Sequence, residues 1–129
     1  MSAKASLSQP DSLSPHDLVA AELEQVEKRL AELLYSRESL LSEIGHYLVG
    51  AGGKRVRPAA ALMVFRACGG QDPTDMVDVA TALELIHSAS LLHDDIIDEA
   101  ETRRGKASAL HRFGLAETLV AGDFLFGRA

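Results

Sequence analysis

Asp72-Pro73, with Asp75 close behind, opens a segment that can run as one helix to Asp98. It would span about 26 residues and roughly 39 Å, and it ends in His93-Asp94-Asp95-Ile96-Ile97-Asp98, with Arg103-Arg104-Gly105 just beyond. Acids at a helix C-terminus meet the negative end of the dipole. Neighbouring carboxylates also repel one another unless a cation neutralises them. Oxygen donors in this number suit Mg²⁺, which binds through one or two carboxylates plus a substrate phosphate and keeps several waters. Planar guanidinium forks match phosphate oxygens, so the two arginines fit the same reading. The bland alternative is a solvated helix end, and the dipole argument weighs against it.

At 100° per residue, His87, Asp94 and Asp98 fall within about 20° of one another, with Leu83 on the same line and Ser90 about 40° off it. Asp95 points about 100° away from Asp94. Asp94 and Asp98 are therefore the expected direct metal ligands, and Asp95 a supporting group behind them. For His87 alone, a satisfied core histidine and a phosphate contact are equally open.

The rest of the chain also reads as helix. Ser14-Pro15 is a helix start, and Val19, Leu23, Val26, Leu30 and Leu33 form one apolar stripe. Ser36–Ser39 interrupts it. A second helix puts Leu40, Leu41, Ile44 and Leu48 on its inner side and ends at Gly50-Ala51-Gly52-Gly53. Pro58–Ala67 is apolar nearly all round and so predicted to be buried; Gly69-Gly70 stops it. Glu99–Lys106 is a charged loop, and Leu115 onward is helical in pattern. No strand is predicted. The class is all-α, with residues 1–13 as a disordered tail rich in Ser, Ala and Pro and 14–129 as one domain. The segment Leu115–Phe126 is strongly apolar and needs a surface to pack on, from another chain or from the rest of a longer protein.

Composition removes several function classes. The net charge of −6, with no long basic stripe, argues against nucleic acid. The polar start of the chain is not a secretory signal, and no apolar run reaches the roughly 20 residues needed to cross a bilayer. Cys68 is the single cysteine. It cannot form an internal disulfide, which fits a reducing cytoplasm, and it reads as a small buried residue.

A second motif carries chemistry. Gly52-Gly53-Lys54-Arg55-Val56-Arg57-Pro58 is a flexible turn with three cations ahead of a helix start, a ready anion site. By itself it is also a common kind of basic linker. Two basic clusters bracketing an acidic site imply two phosphorylated ligands, or one large one.

Together these residues resemble the trans-isoprenyl diphosphate synthase (polyprenyl synthetase) family. Gly52–Pro58 is similar to its N-terminal basic motif, and Glu84–Asp98 to the helix with its first aspartate-rich motif. Arg103-Arg104-Gly105-Lys106 and Gly122-Asp123-Phe124-Leu125-Phe126 also fit, and the likeness covers about Leu40 to the end. The resemblance implies antiparallel helices around a central cavity, incomplete in this chain, and a homodimer. It implies head-to-tail condensation of an allylic diphosphate with isopentenyl diphosphate. Lys54, Arg57, His87 and Arg104 would bind the isopentenyl diphosphate. Arg103 would contact the allylic diphosphate, Asp94 and Asp98 would hold Mg²⁺ on it, and Arg55 would support the loop. In this family bulky aromatics four and five residues before the first aspartate block the growing chain. Here those positions are Ser90 and Ala89, so the resemblance implies a medium or long product.

The family's second aspartate-rich motif, far downstream, is absent from these 129 residues. Little or no turnover is expected from them alone, and aggregation or pairing with another chain is expected from an open half-cavity. Two competing readings remain. One is a truncated or regulatory subunit that pairs with a full-length synthase. The other is an HD-type metal phosphohydrolase using His46, His87, His93-Asp94 and Asp123. A nucleotide P-loop fails, because Ala100 stands where its first glycine is needed before Gly105-Lys106.

Overall fold

A computed structural model describes residues 13–50 and 53–129. Apart from Leu13, the expected disordered tail lies outside the described residues, as do Ala51 and Gly52 of the glycine-rich turn. A 3-10 turn, Asp17–Val19, leads into α1 (Ala20–Leu33). Then come α2 (Ser39–Leu48), α3 (Val56–Ala67), α4 (Thr74–Ile97), α5 (Ala109–Phe113) and α6 (Leu115–Arg128). The fold is all-α. Its one exception among the described residues is a hairpin of β1 (Thr102–Arg103) and β2 (Lys106–Ala107), paired antiparallel between α4 and α5.

α4 is the spine, packed against α1, α3, α5 and α6. Its start is fixed by Asp72, whose Oδ1 accepts from the Thr74 backbone N–H (3.0 Å) and hydroxyl (2.6 Å). Its end is fixed by Glu99, whose φ of 49° turns the chain out of the helix. Between them Val77, Ala80, Leu85, Ala89 and Leu92 enter the core. Val19, Val26 and Leu30 of the first apolar stripe meet them, with Leu23 and Leu33 at the edge.

Four details depart from the sequence pattern. The charged stretch after α4 is not a plain loop. Arg104 (φ 51°) and Gly105 (φ 76°) are both left-handed, the two-residue turn that closes a tight hairpin, and strands this short leave no periodicity to read. α3 starts at Val56 and is not buried all round. Pro58, Ala59 and Leu62 face the core, while Val56 and Val64 are exposed, because α3 packs only on the side of α1, α4 and the 3-10 turn. Leu40, one residue into α2, is likewise exposed, and Leu41 and Ile44 turn inward. Cys68 is exposed, since it is the C-cap residue of α3 just before the chain turns away at Gly69.

No described helix is long and apolar enough to cross a membrane. Apolar side chains remain exposed on α4 (Val79, Leu83, Ile86) and on α6 (Leu119, Val120, Phe126).

α6 crosses α4 at Gly122. A Cβ there would stand 2.2 Å from His93 Nε2, so the missing side chain lets the imidazole lie against α6. Gly122→Ala is expected to destabilise the chain by about 1–3 kcal/mol through overpacking. In urea unfolding, most of that loss should vanish when His93→Ala is added.

Candidate active site

The end of α4 sorts its acids onto different sides. Asp94 and Asp98 are exposed, whereas Asp95 is completely buried. Arg103 reaches back from β1 and clamps Asp95, with Nη2 at 2.6 Å and Nε at 2.9 Å from Oδ1. The hydrogen bonds it donates to Asp95 raise the Arg103 pKa above its ordinary value, burial opposes them, and the charges of Asp95, Asp94 and Asp98 add to the rise. Arg103 is thus held by a buried carboxylate while standing in the field of two exposed ones.

Among the described residues no three His, Cys, Asp or Glu side chains gather into a set that could hold a metal ion. Asp94 and Asp98 offer carboxylate oxygens only. That donor set suits a hard divalent cation whose remaining positions are filled by water and phosphate oxygens. It does not suit a metal that demands nitrogen or sulfur ligands.

The basic motif folds into a cleft of about 400 Å³ lined by Gly53, Lys54, Arg57, His87 and Arg104, with Arg55 and Glu84 in its wall. Lys54, Arg57 and Arg104 are exposed and His87 is half-buried. Burial lowers the His87 pKa, Arg57 lowers it further, and Glu84 works in the opposite sense, so the imidazole is neutral at pH 7. Gly53 keeps the wall thin, because a Cβ there would stand 3.1 Å from Arg55 Nη1 and 3.7 Å from Arg104 Nη1. A second cavity of about 200 Å³ shares Arg55, Glu84, His87 and Arg104 and extends to Leu91 and Arg103. The two cavities join the basic motif to the arginine that faces the carboxylates.

Arg55 is the cation that does not face the cleft freely. It is buried and left-handed (φ 49°, ψ 38°). Its guanidinium donates to Glu27 of α1, to Glu84 Oε1 (3.2 Å) and to the Val49 carbonyl (2.7 Å). Burial works against its charge, and Glu27 and Glu84 more than offset that, so its pKa lies above the ordinary value. Glu27 and Glu84 were not singled out in the sequence. Glu84 stands three residues before His87, one helical turn away, and that spacing could have revealed it.

The remaining positions divide as follows. Ser90 is half-buried and its hydroxyl donates to the His87 carbonyl (2.6 Å). Ala89 is fully buried in the core. His93 leaves the Asp94 side altogether: its Nε2 lies 3.4 Å from both Asp123 Oδ1 and the Leu119 carbonyl on α6. His46, His87, His93 and Asp123 therefore form no metal centre of the phosphohydrolase kind.

The helical scaffold sets two exposed carboxylates near a cationic cleft. Residues 38–129 match the model of the polyprenyl synthetase family, and the chain belongs to that family. It is 41% identical over 114 residues to octaprenyl diphosphate synthase of Escherichia coli, covering 88% of this chain and 35% of that protein. It is 40% identical over 114 residues to heptaprenyl diphosphate synthase component 2 of Geobacillus stearothermophilus, covering 88% of this chain and 35% of that one. The fold superimposes on a polyprenyl synthase from Caulobacter crescentus crystallised with calcium and isoprenyl diphosphate. The TM-score is 0.84 at 34% identity, covering 88% of this chain and 34% of that one. The chain spans about a third of the length of the curated relatives it matches.

Arg103→Met leaves Asp95 buried without a partner and should cost about 3–5 kcal/mol of stability. Asp98→Ala removes an exposed acid from a helix C-terminus and should leave stability unchanged or higher. Urea unfolding without divalent cations reads both. Similar losses for the two variants would contradict the division of acids described above.

Proposed function

We propose that this chain carries the first part of the active site of a trans-prenyl diphosphate synthase. The reaction joins isopentenyl diphosphate head-to-tail to an allylic diphosphate. What carries the reading is the run of cationic groups from Lys54 to Arg103, beside the exposed pair Asp94 and Asp98.

Lys54, Arg57, His87 and Arg104 bind the diphosphate of the isopentenyl substrate. Arg103, steadied by Asp95, contacts the allylic diphosphate, and Asp94 and Asp98 would hold Mg²⁺ when it binds. The allylic C–O bond breaks, and diphosphate leaves with the electron pair. The isopentenyl double bond attacks the allylic carbon, and loss of a proton then restores a double bond in the product. Mg²⁺ supplies charge neutralisation on the leaving diphosphate. Arg103 adds to it from a fixed position, which makes the stabilisation preorganised. Water must be kept out, because it would quench the cationic carbon.

Ser90 and Ala89 precede Asp94 where the family's bulky blocking residues would stand, and both are small. The product is a medium or long prenyl chain, in keeping with octaprenyl and heptaprenyl synthases among the relatives. We place the reaction in the cytoplasm, a reducing compartment that suits the exposed thiol of Cys68. The exposed apolar faces of α4 and α6 need a cover. A homodimer or a synthase subunit would provide one, so the second reading is a non-catalytic subunit paired with a full-length synthase. The name of the Geobacillus relative, a component of a synthase, favours keeping it.

The test is prenyl transfer from radiolabelled isopentenyl diphosphate to an allylic diphosphate with Mg²⁺, by these 129 residues and by a synthase containing them. The 129 residues alone should give little or no product. In the synthase, Asp94→Ala and Asp98→Ala should each lower kcat by about 10²–10³-fold. Full activity in either variant would refute the metal assignment, and robust turnover by the 129 residues would refute the need for further chain.

Chain length gives a separate test. Ser90→Phe should shorten the product without unfolding the protein, because Ser90 is only half-buried. Ala89→Phe should shorten the product too, but at a cost in stability that Ser90→Phe avoids, because Ala89 is fully buried. Chromatography of the products, together with circular dichroism, reads the difference.

A further inference from the structure

The 3-10 turn and α1 precede the residues matched by the family model, yet they touch the basic cleft twice. His16 Nε2 donates to the Lys54 carbonyl at 2.7 Å, across 38 residues of sequence. Glu27 of α1 accepts from two nitrogens of Arg55, Nε and Nη2. α1 is itself tied down beyond the cleft, by Glu22 to Arg66 of α3 and by Arg29 to Asp78 of α4 (2.9 Å).

These contacts bear on the part of the cleft that is hardest to hold in shape. Arg55 is a non-glycine residue in the left-handed region, which the backbone avoids without a reason to stay there. With the chain turned at Arg55, Lys54 before it and Arg57 two residues after it line the same cleft. Glu84 presents a second difficulty, because it is a carboxylate in the wall of an anion site. Arg55 answers both by bonding Glu84 while Glu27 and the Val49 carbonyl fix its remaining nitrogens.

We propose that Glu27 and His16 are positioning residues of the diphosphate cleft, Glu27 acting through Arg55 and His16 through the Lys54 peptide. The inference rests on the reading of the cleft as a diphosphate site and adds to it a clamp from the N-terminal helical segment.

The sign of the effect separates this role from plain electrostatics. Glu27 is negative and close to an anion site, so removing its charge would by Coulomb's law alone tighten anion binding. Positioning requires the opposite. The experiment is calorimetric titration of a synthase containing these residues with inorganic pyrophosphate, without divalent cations, alongside thermal melts. Glu27→Gln should weaken binding about tenfold, the worth of one misplaced charge-assisted hydrogen bond. Glu32→Gln, which removes the same charge from the same helix but breaks only the exposed Arg29–Glu32 pair, should leave affinity unchanged and melt alike. His16→Ala removes an exposed contact that involves only the Lys54 backbone, so it should fold normally and also weaken binding. Unchanged or tighter binding in Glu27→Gln and His16→Ala, with the wild-type chain binding normally, overturns the clamp. Absence of pyrophosphate binding by the wild-type chain overturns the cleft reading itself, and the clamp with it.

Discussion

Asp95 lies completely buried inside the protein, and Arg103 meets it there with two nitrogens. A buried carboxylate without such a partner is strongly unfavourable. This pair therefore holds the hairpin against the end of α4, and the hairpin in turn carries Arg104 to the basic cleft. The same pair explains how three neighbouring acids coexist at a helix C-terminus. One is neutralised internally, and the other two are left in solvent, where water screens them and a cation can reach them. Helical geometry enforces the division, since adjacent residues lie about 100° apart.

The cleft depends on backbone conformations that non-glycine residues seldom adopt. Apart from Glu99, which ends α4, the described non-glycine residues with positive φ are Arg55 and Arg104, and both line the cleft. Residues held in such regions persist where surrounding contacts over-determine them, and they cluster at functional sites. Arg55 is over-determined by its side chain, through Glu27, Glu84 and Val49. Arg104 is over-determined by its backbone, because the pairing of Arg103 with Lys106 fixes the turn between them.

Much of this was legible in the sequence because it rests on local periodicity. The wheel that sets Asp94, Asp98 and His87 on one side of α4 needs only 100° per residue. The span of α4 follows from its cap at Asp72 and its acidic end. What escaped depends on partners distant in sequence. Glu27 and Glu84 look like ordinary charges on helix faces, and only the fold brings Arg55 between them. The exposure of Val64 and Cys68 was unreadable for a related reason. An apolar run signals that a helix can be buried, but not which of its faces the neighbouring helices cover. The hairpin escaped because two-residue strands carry no alternation.

Charge explains why the cleft can stand open without a ligand. Lys54, Arg57 and Arg104 crowd together, and like charges this close destabilise one another. Two features relieve the crowding. Arg55, the innermost cation, is matched by Glu27 and Glu84 and adds little net positive charge. Burial and the positive charge of Arg57 both lower the His87 pKa, so a fourth positive charge is disfavoured there. A negative charge beside His87 would act in the opposite sense, favouring the imidazolium, which donates from both nitrogens. The cleft thus limits its own repulsion through one paired arginine and one histidine whose burial disfavours its charge.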